Sequence, residues 1–299
     1  MPKYRKRTAF SLRGAWQSKP TEKEFYMYEI IKKRNLAANI AEYVVAAPRI
    51  AKHAMPGQFV ILRVDEQGER VPFTICNIDR KNGTISMLVQ EIGYTTKKLA
   101  RLNEGDALCD LVGPLGKPTD LSEHKNICLI GGGIGAAVIY LQAKFLHAAG
   151  QPCDIILGAR SLDLVIYKKE FARIAKNLYI VTDDGVGAKK GYVTNELSEQ
   201  IPLKGYDCVF AVGPAPMMRA VCNITAEFKL PTVVSMNSVM VDGTGMCGGC
   251  RVTVDGRARY ACVDGPEFDG HLIDWTEAMN RTKAFAEEEK EHLCRLTNQ

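Results

Sequence analysis

From Asn126 onward the chain alternates strand and helix signals so regularly that a parallel, doubly wound α/β sheet is predicted. NICLIGGG is an apolar strand ending in glycines, and GAAVIYLQAKFLHAAG is a helix closed by Gly150. Then come strand DIILGAR, helix DLVIYKKEFARIA, strand LYIVTDDG, helix YVTNELSEQ, strand DCVFAVGP and helix APMMRAVCNITAEF. Tyr26–Asp120 has a different rhythm. EYVVAAP, QFVILRV, TISMLVQEI and DALCDLVGPLG are short alternating strands punctuated by Gly, Pro, Asn and Asp. That spacing predicts a small antiparallel β-barrel, with helical turns around Thr95–Arg101.

A chain of 299 residues suits two domains and an appendage. The expected division is a basic N-terminal extension over 1–24, a barrel over 25–122, an α/β domain over 123–230 and a third segment over 231–299. The third segment opens at Pro231, is rich in Gly and Asp, and ends in an amphipathic helix, DWTEAMNRTKAFAEEEKEHLCRL. The net charge of +5 is modest, and no nucleic-acid partner is expected. Much of it lies in MPKYRKRTAFSLRGAWQSKPTEK, which reads as a loose tail or as a contact with an acidic partner. That start has no apolar run suited to secretion, and no stretch reaches the ~18 apolar residues of a membrane span. A cytoplasmic location is expected.

Ten cysteines are present. Cys76, Cys109, Cys128, Cys153, Cys208, Cys222 and Cys294 stand singly and read as small apolar core residues. Cys247, Cys250 and Cys262 cluster as Cys-x2-Cys-x11-Cys. Three thiolates at this spacing can fold around one metal centre, and the glycines let backbone N–H groups approach sulfur. Asp242, five residues before Cys247, is a candidate fourth ligand. A structural zinc site, a Cys-x2-Cys redox pair and free thiols in a turn are the alternatives. Neighbouring nucleotide and flavin signals favour iron–sulfur, because zinc carries no electrons.

Gly131, Gly132, Gly133, Ile134 and Gly135 join a strand to a helix. Such glycines permit a tight turn and close approach of a pyrophosphate, which the helix N-terminus favours. Gly131-x-Gly133 leaves Ala136 at the last position, as the looser form of the motif allows. Gly158, Ala159 and Arg160, then Asp183 and Asp184, then Gly213 and Pro214 end the following strands. Carboxyl ends of parallel strands are where such sheets bind ligands. Asp184 reads as a turn residue or as a ribose contact. Arg160 suits a nucleotide phosphate, a 2′-phosphate or a surface carboxylate, and does not decide NADP over NAD.

Taken together, Arg70-Val71-Pro72-Phe73-Thr74, Gly93-Tyr94-Thr95-Thr96, Gly113-Pro114-Leu115-Gly116, the glycine turn and Gly213-Pro214 resemble the ferredoxin–NADP reductase superfamily. The terminal Asp242, Cys247, Cys250 and Cys262 narrow the likeness. Over roughly Tyr26 to Trp275 the chain resembles the electron-transfer subunits of dihydroorotate dehydrogenase. It is more similar still to the small subunits of NADH-dependent reduced ferredoxin:NADP oxidoreductases.

The resemblance implies FAD in the barrel, NAD(H) rather than NADP(H) on the sheet, and a [2Fe–2S] cluster on Asp242, Cys247, Cys250 and Cys262. Val71, Pro72, Phe73 and Thr74 match the superfamily's Arg-x-Tyr-Ser strand. Val71 takes the arginine position, with Arg70 one residue earlier; in an extended strand that slip points the side chain to the opposite face. The likeness gives Thr74 the flavin N5 region, Phe73 a flat apolar wall, Leu88, Val89 and Gln90 the ribityl or diphosphate side, and Gly93, Thr95 and Thr96 the pyrophosphate. It also implies a larger flavin and iron–sulfur subunit that binds NADPH, with ferredoxin reached through the complex by electron bifurcation. The basic start and the C-terminal helix are candidate docking elements, or a loose tail and a helix packed on its own domain. Val212 before Gly213-Pro214, and Asp242 in place of a first cysteine, favour this type over the dihydroorotate type. No side-chain general base is implied, because the cofactors carry the chemistry. The rivals are the dihydroorotate-type subunit and a non-enzymatic nucleotide-binding module with structural zinc.

Overall fold

In the computed structural model, residues 28–284, 287, 288 and 291 are described. The basic extension expected over 1–24 lies outside them. The first domain holds strands β1 (Ile30–Ala37), β2 (Ile40–Ala46), β3 (Phe59–Arg63), β4 (Val71–Asp79), β5 (Thr84–Gln90) and β6 (Asp110–Leu115), with helices α1 (Pro48–His53) and α2 (Tyr94–Ala100). The strands pair in the order β1-β2-β5-β4-β3-β6, each pair antiparallel. The ring closes where Ile30 N–H donates to Asp106 O at 2.8 Å and Leu108 N–H to Tyr28 O at 3.0 Å. Closure removes the open sheet edges.

Side-chain alternation gives the barrel two faces. Val60, Leu62, Val71, Phe73, Ile75, Met87 and Val89 form or pack against its interior. Phe59 and Ile61 on β3 point outward into a second cluster. Cys76 and Leu88 point outward into a third.

The second domain runs β7 (Ile127–Gly132), α3 (Gly135–Ala148), β8 (Asp154–Ala159), α4 (Lys168–Phe171), β9 (Asn177–Thr182), β10 (Lys189–Lys190), α5 (Val193–Lys204), β11 (Cys208–Val212), α6 (Ala215–Glu227) and β12 (Thr232–Ser235). Then follow β13 (Arg251–Val254), β14 (Arg257–Tyr260), β15 (Glu267–Asp269) and α7 (Trp275–Arg281). The large sheet has the order β10-β9-β8-β7-β11-β12-β15. All its pairs are parallel except β12 with β15. Leu129, Ile130, Ile155, Ile156, Val209 and Phe210 are fully buried in it. Burial of such side chains stabilises by about 1.5–3 kcal/mol each.

Two sequence expectations need correction. The boundary at 230/231 cuts the sheet, because β12 pairs with β11 and β15 then pairs with β12. The helix expected over DLVIYKKEFARIA is only α4 and a 3-10 turn at Leu162–Leu164, because Tyr167 between them takes a left-handed backbone at φ 57. The C-terminal helix is seen as α7, capped by Asp274 accepting from Glu277 N–H at 2.9 Å. Ala278 buries against the cysteine segment and α6, and Arg281 donates to Gly249 O at 2.9 Å, so the described part packs on its own chain. Among the described residues no helix is long and apolar enough to cross a membrane.

Candidate functional site

The nucleotide-side residues converge on one edge. Gly131–Gly133, Gly158–Arg160, Asp183–Asp184 and Gly213–Pro214 end or follow β7, β8, β9 and β11, four adjacent strands. Strand order reverses between β7 and β11, and a ligand crevice opens at such a switch point. Close packing explains most of the glycines. A Cβ on Gly131 would lie 2.9 Å from Ala136 Cα, and one on Gly135 would collide with Val212 O. Gly133 differs: its φ is 55 and nothing lies within 4 Å of an added Cβ, so its backbone borders open space. Gly133 N–H donates to Gly158 O at 2.9 Å, tying two of the loops together. Asp184 accepts from Val186 N–H at 3.0 Å, and that bond holds its carboxyl below the usual range. Its turn role is thus visible, while Arg160 and Asp183 are exposed.

On the barrel, Thr74 pairs with Phe59 and Pro72 with Ile61, so Thr74 and Pro72 share the outward face of β3. Phe73, 7 % exposed, packs into the barrel interior with Val71, which corrects the expectation that its ring walls the flavin. Val89 is likewise interior, whereas Leu88 faces outward against the second domain. Arg70 leaves the Val71 face as the slip requires and pairs with Asp110 at 3.0 Å. Thr96 Oγ1 accepts from Gly93 N–H at 2.9 Å and caps α2. Thr95 Oγ1 donates to Glu69 at 3.1 Å. Sequence reading missed Arg63, which lies on β3 opposite Asp110. Among the described residues its buried Nε has no hydrogen-bond partner, a donor left for an acceptor such as a diphosphate oxygen.

The four cluster residues stand as two pairs. Cys250 Sγ and Cys262 Sγ are 3.2 Å apart, too far for a disulfide. Cys247 Sγ donates to Asp242 Oδ1 at 3.3 Å. Asp242 also accepts N–H bonds from Thr244, Met246 and Cys247, at 3.1, 3.0 and 3.1 Å. Led by the Thr244 bond, these hold its carboxyl at about 2, so it is the ionised form that faces Cys247. Burial, with the Cys250 contact, pushes the Cys262 thiol up to about 12, and a metal cation is what displaces such a proton. Gly249 N–H reaches Cys247 Sγ and Cys262 N–H reaches Cys250 Sγ, both at 3.4 Å. Among the described residues no three His, Cys, Asp or Glu gather around one metal ion. Two donor pairs are the arrangement a binuclear cluster uses, two ligands to each iron.

The cluster loop rests on the barrel. A Cβ on Gly243 would meet Ile61 Cγ1 at 2.8 Å and Leu115 Cδ1 at 2.9 Å. Asp242 therefore adjoins the face of β3 that Thr74 shares on the next strand. Glu267 also marks this seam and was not foreseen. Thr119 Oγ1 donates to it at 2.7 Å, and burial raises its carboxyl to about 7.

Comparison with known proteins agrees with this architecture. Residues 27–119 match an oxidoreductase FAD-binding domain and residues 129–223 an oxidoreductase NAD-binding domain. Residues 237–274 match the iron–sulfur cluster binding domain of dihydroorotate dehydrogenase B, a span that includes all four cluster residues and sets the zinc module aside. A Thermotoga maritima protein named as a homolog of the dihydroorotate dehydrogenase B (NAD(+)) electron transfer subunit is 43% identical over 263 residues, covering 88% of this chain and 93% of that one. The subunit of that name from Shouchella clausii is 33% identical, covering 80% and 94%. A chain from the solved NADH-dependent reduced ferredoxin-NADP oxidoreductase, studied for flavin-based electron bifurcation, superposes with TM-score 0.86 at 41% identity, covering 91% and 98%. The chain is thus an oxidoreductase subunit that transfers electrons between NAD(H), FAD and an iron–sulfur cluster, and it belongs to the family of dihydroorotate dehydrogenase B electron-transfer subunits.

Proposed function

We propose that this chain is the NADH-side subunit of a cytoplasmic electron-bifurcating transhydrogenase that links NADH, NADPH and ferredoxin. Its partner is a larger flavin and iron–sulfur subunit that binds NADPH. The observation that carries this reading is Asp242, a carboxylate held ionised 3.3 Å from Cys247 Sγ in the place of a first cysteine ligand. The 41% identity to the NADH-dependent reduced ferredoxin-NADP oxidoreductase chain supports it. With FAD and a [2Fe–2S] cluster bound, the chemistry supplied is hydride exchange with NAD(H) and division of the electron pair into single electrons.

The chain's own groups bind, orient and tune. Gly133 leaves open space for a dinucleotide diphosphate at the switch point, and the start of α3 offers it backbone N–H groups. Thr74 directs a hydroxyl from the outward face of β4, and Arg63 supplies an unpaired donor to an anionic group. Asp242, Cys247, Cys250 and Cys262 would hold the cluster, which would carry single electrons. The amides of Gly249 and Cys262, each 3.4 Å from a cysteine sulfur, would stabilise negative charge on those sulfurs.

The names of the curated relatives favour a second reading, a dihydroorotate-type partner. Anaerobic co-purification with absorption and EPR spectra separates the two. A glutamate-synthase-like or flavin-disulfide-type large subunit is expected; a (β/α)8-barrel flavoprotein would give the second reading the place of the first. In the same preparation Asp242→Cys should keep the cluster and change its EPR signal and potential. An unchanged spectrum and potential would remove Asp242 from the ligand set.

A further inference from the structure

Tyr167 takes a left-handed backbone at φ 57, a conformation that side-chain-bearing residues adopt rarely. It is 4 % exposed, and burial keeps its phenol protonated. Its hydroxyl donates to Glu42 Oε1 at 3.0 Å, on barrel strand β2. Glu42 is gripped in turn by Arg34 of β1, at 2.9 Å, and Arg34 reaches back to Glu170 beside Tyr167 at 3.0 Å. The circuit therefore leaves the nucleotide domain at Tyr167, crosses two barrel strands and returns at Glu170.

Tyr167 also touches the two elements on which the cofactor sites rest. Its hydroxyl lies 3.6 Å from Cys76 Sγ, on the outward face of β4 two residues beyond Thr74. Its ring stacks on Tyr140 of α3, the helix opened by the glycine turn, with centroids 4.7 Å apart. Lys144 of α3 binds Asn77 of β4 at 2.5 Å, so helix and strand are pinned along their length. Hydride transfer needs donor and acceptor atoms about 3–3.5 Å apart, and a misplacement of about 1 Å can cost a hundredfold in rate. With the two reactants held by different domains, the setting of α3 against β4 fixes that distance.

We propose that Tyr167, clamped by Glu42 and Arg34, is a positioning residue that sets the nucleotide domain against the flavin barrel for hydride transfer. The proposal rests on the NADH–flavin reading above. The test mixes anaerobic holoprotein with NADH in a stopped-flow instrument and follows flavin absorbance. Tyr167→Phe keeps the ring and removes the hydroxyl. Flavin loading and NADH affinity should match the unsubstituted protein. The limiting rate of flavin reduction should fall about tenfold or more, and the long-wavelength nicotinamide–flavin charge-transfer band should weaken. Glu42→Gln, which keeps an acceptor, should retain most of the rate, and Glu42→Ala should repeat the Tyr167→Phe loss.

A lower thermal midpoint with an unchanged limiting rate and band would overturn the proposal and leave Tyr167 a packing residue. If Tyr167→Phe fails to hold flavin, equal rates for Glu42→Gln and Glu42→Ala overturn it instead. Unsubstituted holoprotein that NADH does not reduce overturns the functional reading itself, and the clamp with it.

Discussion

Glu267 shows what burial does to a single residue. Its carboxyl stands at about 7 against an ordinary 4.5, chiefly through desolvation, and its recorded partner is Thr119 Oγ1, which also opposes the shift. A raised folded-state value means the fold prefers the neutral acid. Its contribution is fully present below about pH 4.5 and is lost as pH rises through about 7. Glu267→Gln, which can still accept from Thr119, should be near neutral at pH 5 and stabilise by up to about 3 kcal/mol at pH 8. Thermal melts at both pH values check this, and an equal shift at both would refute it. Glu267 was invisible in the sequence because Thr119 is 148 positions away. Cys247, Cys250, Cys262 and Asp242 were legible because their chemistry is local, within one loop and a hairpin. Phe73 was misplaced because family likeness supplied its role while strand alternation decided its face.

Among elements, the glycine turn does two jobs that the sequence could not separate. Gly131 and Gly135 let α3 and the loop after β11 approach the strand, whereas Gly133 borders the open crevice. Gly135→Ala should push Val212 and the following loop outward, destabilise by about 1–3 kcal/mol and weaken NADH binding. Isothermal titration with NADH beside a thermal melt reads both effects; wild-type affinity and midpoint would show the loop to be compliant. The β–α alternation predicted the sheet well because apolar strands and glycine-ended turns are strong local signals. The helix over DLVIYKKEFARIA was overcounted because its apolar spacing is real but Tyr167 turns the backbone out of the helix. β12 was missed as a sheet member because a four-residue strand beside a proline carries little signal of its own.

At the scale of the whole molecule, barrel, sheet and cluster segment share one core. Phe59 and Ile61 of the barrel, Val209 of the sheet, Met218 of α6, and Cys250 and Cys262 of the cluster segment belong to a single apolar group. Cys247 is the exposed member of the ligand set. Cys247→Ala should therefore lose the cluster's EPR signal while FAD absorbance persists. Joint loss of both cofactors would show the loop to be a pillar of the barrel as well.

The pairing of β12 with β15 also limits how this chain can be taken apart. The cluster-bearing segment leaves the sheet after one strand and returns to it with another. A fragment ending at 230 would leave β11 as a raw edge, open to pairing with other chains. A grafted cluster segment would carry an orphan strand into its new host. Anyone recombining redox modules from this chain should move the sheet and the cluster segment as one piece.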